Sequence, residues 1–205
     1  TNPTLAAEYT LPGNGEKGIS VFYYNQRAYV GTEKDGGAEF FVIDVSTPTS
    51  PISLGSREIG EDVNAIRVSG NFAYIATPSD DELTILNIAD PANITVASAY
   101  NVTGSCENGK SAYLVSAKLY FGRTDGCGHS THHKLFILNV SNASSVSSLG
   151  TTNIGSDVND LAVRDTLAFL ATSDSNKEFQ VWNISNPASL TEVSSFNFPQ
   201  VGTAI

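Results

Sequence analysis

The sequence predicts an all-β fold: four-stranded antiparallel blades of a β-propeller, four of them complete, with a partial blade at each end. Three observations carry this. Aliphatic and β-branched residues mix with many Gly, Ser, Thr and Asn, and no stretch sustains a 3.6-residue apolar period. One apolar-aromatic-apolar pattern recurs as RAYVGT (27–32), FAYIAT (72–77), LYFGRT (119–124) and LAFLAT (167–172). In it Tyr29, Tyr74, Tyr120 and Phe169 hold the same place, 45, 46 and 49 residues apart. A second pattern always follows after a polar loop: FVIDVSTP (41–48), TILNIADP (84–91), FILNVSNA (136–143) and QVWNISNP (180–187). A fixed repeat of this length with short strands and turn residues is the signature of propeller blades.

Each repeat reads as four strands, a to d. The first pattern is strand b and the second is strand c. Strand a precedes b, as in VNAIRV (63–68) and VNDLAV (158–163), and a tight turn such as Ser69-Gly70-Asn71 joins the two. Strand d follows the Asn-Pro or Asp-Pro turn, as in ITVASAYNV (94–102) and LTEVSSFNF (190–198). In order, residues 1–12 match the d strand of a preceding blade, 13–57 form blade 1, 58–102 blade 2, 103–154 blade 3 and 155–198 blade 4. Residues 199–205 match the start of a following a strand. Residues 1–205 are thus one propeller domain or a fragment of one, and since a blade buries its faces only against neighbours, further blades are expected in the parent protein.

Composition narrows the function. A net charge of −10 argues against nucleic acid or an anionic membrane as partner, because both select clustered Lys and Arg. No apolar run is long enough to span a bilayer, so direct membrane insertion by this segment is not expected. The chain has no Met, which suggests a trimmed or excised piece of a longer product. Two cysteines, few lysines and many Ser, Thr and Asn suit an extracellular setting.

The paired segments AYVGT … FFVIDVSTP and AYIAT … LTILNIADP resemble LVIVD repeats across essentially the whole chain. That resemblance implies a propeller fold in an exported bacterial or archaeal surface protein, sometimes anchored through pilin-like or other attachment segments. It brings no catalytic residues to carry over. The third repeat departs from the pattern, with Ala143 in place of the turn proline and a long histidine-bearing loop.

Strand alternation puts the a–b and c–d turns on one rim and the longer b–c and d–a loops on the other. Fourteen of the 21 acidic residues fall in the second set: Glu16, Glu61, Asp62, Glu107 and Asp157 in d–a loops, and Glu33, Asp35, Glu39, Asp80, Asp81, Glu82, Asp125, Asp174 and Glu178 in b–c loops. This acidic rim, centred on Glu61, Asp62, Asp80, Asp81, Glu82, Asp125, Asp157 and Asp174, would suit a cation or a basic partner, although turns favour acidic residues in any case. TPSDDE (77–82) and EKDGGAE (33–39) offer carboxylates for calcium but lack the spaced Asp-x-Asp-x-Asp-Gly loop of an EF-hand.

The third b–c loop, inside RTDGCGHSTHHKL (123–135), is four to six residues longer than the others and holds every histidine. Cys127 lies in it, and Cys106 lies in the d–a loop of the same blade on the same rim, which predicts a disulfide. The competing use is a zinc or copper site from Cys127, His129, His132 and His133, with Cys106 as a second thiolate, but no standard ligand spacing is present. Ser130 lacks a Gly-x-Ser-x-Gly elbow. The channel-facing residues Asn64, Arg67, Asn159 and Asp160 offer polarity without a recurrent acid–base pair. Trp182 is expected in the core. Of the sequons at Asn93, Asn101, Asn139, Asn142 and Asn183, three belong to the repeated turn, so repetition explains them without glycans.

The sequence therefore favours a non-enzymatic, extracellular or cell-surface module for binding, adhesion or structural display, part of a larger surface protein or filament. Its partners would be a protein or glycan ligand, or neighbouring subunits, met through the loop-rich rim. No cofactor motif is present, and calcium or zinc are the ions its residues could hold. The rival reading is a metal-dependent hydrolase or lyase using the Cys/His loop of blade 3.

Overall fold

The computed structural model describes residues 2–12, 17–101, 106–128, 131–198 and 201–205, and these form four antiparallel sheets of four strands each. Blade 1 is β1 (Gly18–Tyr24), β2 (Arg27–Thr32), β3 (Phe40–Asp44) and β4 (Ile52–Arg57). Blade 2 is β5 (Ala65–Ser69), β6 (Phe72–Ala76), β7 (Leu83–Asn87) and β8 (Thr95–Tyr100), with one 3₁₀ turn at Pro91–Asn93. Blade 3 is β9 (Glu107–Val115), β10 (Lys118–Asp125), β11 (Leu135–Asn139) and β12 (Ser147–Thr152). Blade 4 is β13 (Val158–Arg164), β14 (Leu167–Thr172), β15 (Phe179–Asn183) and β16 (Thr191–Phe196). In every sheet the strands neighbour one another in chain order, as the a-to-d reading requires.

The repeated turn chemistry has a local cause. The a–b hairpins turn through positive φ at Asn25 and Gln26, Gly70, Ser116 and Asp165, the conformation that a two-residue hairpin loop needs to match strand twist. At the end of each c strand, the Oδ1 of Asp44, Asn87, Asn139 or Asn183 accepts the amide two residues on, from Ser46, Ala89, Ser141 or Ser185. The Asp/Asn of the second pattern is thus an Asx-turn acceptor, which explains why sequons recur there. The two bonds from Ser46 also hold the Asp44 carboxyl below its usual range.

The core sits between blades. One buried cluster joins Tyr29, Phe40 and Val42 of blade 1 to Val63, Ile66, Ile75 and Leu86 of blade 2. Equivalent clusters join blade 2 to blade 3 through Tyr74, Leu83, Ile85, Leu119 and Phe121, and blade 3 to blade 4 through Tyr120, Leu135, Ile137, Leu161 and Trp182. Burial pushes the phenols of Tyr29, Tyr74 and Tyr120 upward. Close approach at these seams needs small residues: a side chain at Gly55 or Gly150 would strike the carbonyl of Pro91 or Pro187 in the next blade's c–d turn. At the same place in β8, Ser98 donates to the Ala143 carbonyl (2.6 Å).

Residues 2–12 and 201–205, matched in sequence to d and a strands, form no strand, and Leu5 is largely exposed. The second segment nevertheless lies where an a strand would. The Gly202 amide donates to Thr172 O (3.2 Å), just as Val63 and Gly109 donate to Thr32 O and Thr77 O. The outward faces at the two ends stay uncovered: Val21 and Tyr23 of β1, and Val193 and Phe196 of β16, are more than half exposed.

Candidate functional site

At the rim of each blade, a residue at or next to the end of strand b pairs with the residue leading into strand c. In three repeats this pair is Thr and Glu. The amides of Thr32, Thr77 and Thr172 donate to the carbonyls of Glu39, Glu82 and Glu178, and all six residues are buried. Two of the carboxylates then turn to the d–a segment that follows strand d. Glu39 Oε2 accepts the Ile59 and Gly60 amides (2.7 and 3.0 Å), and Glu178 Oε2 accepts the Phe198 amide (2.7 Å). A buried carboxylate is tolerated only when it is hydrogen-bonded or ion-paired in this way.

Blade 3 replaces this pair with Arg123 and Lys134, whose backbones make the same bond (2.9 Å). The change from Thr and Glu to two cations creates a buried ionic group. Arg123, 1% exposed, donates from Nη2 to Glu82 Oε1 of blade 2 (2.6 Å) and to Glu107 Oε2, while its guanidinium lies over the Phe136 ring. Lys134 Nζ lies 3.4 Å from Glu107 Oε1 and 3.3 Å from Asp125 Oδ2, and these side chains are all under 10% exposed. His132 Nδ1 lies 2.5 Å from Glu107 Oε1 at the edge of the group. Two fixed cations meet three carboxylates here, with the half-buried imidazole beside them.

A disulfide closes this group on the rim side. Cys106 and Cys127 are bonded, with Cα atoms 5.7 Å apart. They follow from the pairing of β9 with β10, which sets Glu107 opposite Asp125 and brings both flanking loops together. The Gly126 amide donates to Cys106 O (2.8 Å), and the Cys127 amide to Asp125 Oδ1 (2.7 Å).

The predicted acidic rim divides. Glu82, 1% exposed and bound to Arg123, does not belong to a solvent-facing surface, because its carboxylate is needed as a counter-ion between blades 2 and 3. Glu39, Glu107 and Glu178 are buried likewise. Asp62 and Asp157 tie consecutive blades: Asp62 accepts the Lys34 amide of the b–c loop of blade 1 and Asp157 the Asp125 amide at the end of β10 (2.8 Å each). Glu61 pairs with Lys34 Nζ (3.1 Å). Asp80 and Asp81 face solvent, and Asp174 caps its own loop by accepting the Asn176 amide (2.8 Å). Asp125, Asp157 and Asp174 do come together, with Lys134, Ser156, Ser173 and Ser175, around a cleft of about 420 Å³ between blades 3 and 4. Glu16 lies outside the described residues.

Of the histidines, His132 joins Glu107, and His133 Nδ1 lies 3.1 Å from Thr151 Oγ1. Both line a cleft of about 370 Å³ with Thr131, Phe136 and Arg123. His129 lies outside the described residues. Both cysteine sulfurs are in the disulfide, so neither is a thiolate ligand, and among the described residues no group of three His, Cys, Asp or Glu is placed to hold a metal ion.

The central channel is lined by strands a of all four blades in a cleft of about 340 Å³. Asn64 Nδ2 and Asn159 Nδ2 donate to the carbonyls of Gly109 and Gly202 (2.8 and 2.7 Å), which fixes the next a strand. Arg67 lies between the Phe22 and Tyr113 rings, and burial draws its guanidinium down from its usual value, opposed by the Asp160 carboxylate and by Tyr113. Trp182 is buried, with Nε1 donating to Gln180 Oε1 (2.9 Å). Arg123 and Lys134 are absent from the predicted site. The signal for them is the alignment of repeats itself, which sets Arg123 opposite Thr32, Thr77 and Thr172, and Lys134 opposite Glu39, Glu82 and Glu178.

A family model described as LVIVD repeat matches residues 21–57, 60–102 and 155–198. No curated protein matches the chain. Among solved structures, the computationally designed Ika4 protein is similar with a TM-score of 0.63 and 12% identity over 90% of this chain and 100% of that one. The periplasmic gluconolactonase PpgL of Pseudomonas aeruginosa gives 0.71 and 11% over 92% of this chain and 55% of that one. A protein from Lactobacillus plantarum gives 0.70 and 14% over 88% and 55%. The chain thus spans about half the length of the latter two. At such identities the likeness is one of fold.

Proposed function

We propose, from the premise that this chain belongs to the LVIVD-repeat family, that it is a non-enzymatic display module of an extracellular or cell-surface protein. Its loop-rich rim meets a protein or glycan ligand or a neighbouring subunit. The observation that carries the reading is the way the rim loops are held. Asp62 locks the b–c loop of blade 1, and Asp157 the end of β10, to the next blade; Glu39 and Glu178 lock the d–a segments after blades 1 and 4, and a disulfide joins the two loops of blade 3. Loops fixed by so many bonds lose little entropy on binding, which favours rigid recognition. The surface presented between blades 3 and 4 is acidic and hydroxyl-rich, and it suits a basic or hydrogen-bonding partner.

The test is loss of a surface phenotype. Cells carrying the parent protein with Asp80, Asp81 and Asp174 changed to Asn should adhere to their substratum less well than wild type while displaying as much protein. Unchanged adhesion would point to a spacer. The rival reading, a metal-dependent hydrolase or lyase at the histidine loop, has lost the cysteine ligands on which it drew. Stoichiometric zinc or copper in purified protein would revive it.

A further inference from the structure

We propose that Lys134 and Asp125 form an intramolecular isopeptide bond, with Glu107 as the proton carrier. The juxtaposition is specific to blade 3. Asp125 ends β10, Glu107 stands opposite it on β9, and Lys134 leads into β11 on the other side of β10. Three side chains, from β9, from β10 and from the residue that leads into β11, therefore converge with little exposure to solvent. Lys134 Nζ is 3.3 Å from Asp125 Oδ2 and 3.4 Å from Glu107 Oε1, with side-chain exposures of 4%, 6% and 1%.

The surroundings supply what amide formation needs. Asp125 Oδ1 accepts the Cys127 amide (2.7 Å), a donor placed on the oxygen that becomes negative when Cγ is attacked. Asp125 Oδ2, facing the amine, is the oxygen that leaves. Glu107 is kept near by Arg123 on its other oxygen and by His132. Glu82, also on Arg123, and Asp157 and Asp174, on the cleft that Asp125 and Lys134 line, add further carboxylates around the pair.

The step balances as a condensation. One proton passes from the ammonium to the Asp125 carboxylate, which converts the ion pair to amine and acid, a change that low dielectric favours. Lys134 Nζ then bonds to Asp125 Cγ, Glu107 takes a proton from Nζ and returns one to Oδ2, the Cγ–Oδ2 bond breaks, and water departs. No oxidant or cofactor takes part. Two buried charges disappear, and Arg123 and His132 are left facing Glu82 and Glu107.

The mass of the full chain decides. Purified protein, denatured and with its disulfide reduced, should weigh one water less than its sequence. Trypsin should fail to cut after Lys134, leaving residues 124–164 as one cross-linked peptide. Lys134→Arg and Asp125→Ala should each restore the full sequence mass. Full mass in the wild type with normal cleavage at Lys134 would overturn the proposal. So would a missing water that persists in Lys134→Arg, which would assign the loss to a succinimide at Asp125-Gly126.

Discussion

Arg123→Met tests whether the buried charges of blade 3 form one interdependent group. The substitution keeps an apolar stem against Phe136 but removes the guanidinium that Glu82 and Glu107 share. Both carboxylates are about as buried as the arginine, so neither can turn to water for replacement. Breaking a buried pair by deleting one partner costs about 3–5 kcal/mol, since the charge left behind stays desolvated. For a chain of this size each kcal/mol moves the midpoint by roughly 2–4 °C, so the variant should melt roughly 6–20 °C lower. Thermal unfolding followed by circular dichroism under oxidising conditions reads this directly. Arg164→Met is the control: its pair with Asp165 is 85% exposed on both sides and should contribute under about 0.5 kcal/mol. Similar melting of the two variants would refute the reasoning, because it would mean that Glu82 and Glu107 have other means of compensation.

Three further outcomes follow from the same geometry. Replacing Cys106 and Cys127 by Ser opens a loop of sequence separation 21 and should lower stability by about 3 kcal/mol, seen as a lower denaturant midpoint that reductant no longer shifts. Gly150→Val should cost at least about 1–3 kcal/mol because its side chain strikes the Pro187 carbonyl, whereas Gly18→Ala, with open space around its Cβ, should leave the melting temperature almost unchanged. Glu192 is held below the usual carboxylate range by Lys177, which contacts both its oxygens, so its contribution is present above that range and lost as pH falls through the depressed value. Because the pair is partly exposed, Glu192→Gln should cost less than about 1 kcal/mol at neutral pH and nothing in strong acid, measured by urea unfolding at the two pH values.

Repetition made the architecture legible. Tyr29, Tyr74, Tyr120 and Phe169 mark the b strands, and the Asp/Asn turn marks the end of each c strand, because these roles are set by strand period and turn geometry within about ten residues. The cysteine pairing was legible for the same reason, since repeat position places the loops of Cys106 and Cys127 on one rim of one blade. The acidic rim was not. Glu82 and Asp80 look alike in TPSDDE, yet one is a buried counter-ion and the other faces water. The difference rests on Arg123, 41 residues away and in the next blade.

By itself, then, the sequence determined the number of blades in the chain, their strand order, the turns and the bridge between two loops. Only the tertiary structure decided which carboxylates are available to a partner and which hold blades together. It also decided that Lys134, Asp125 and Glu107 meet in one buried ionic group. The physical reason is that local conformation depends on neighbours along the chain. The state of a charge depends on what surrounds it in space, and in this fold that environment is built across the seams between consecutive blades.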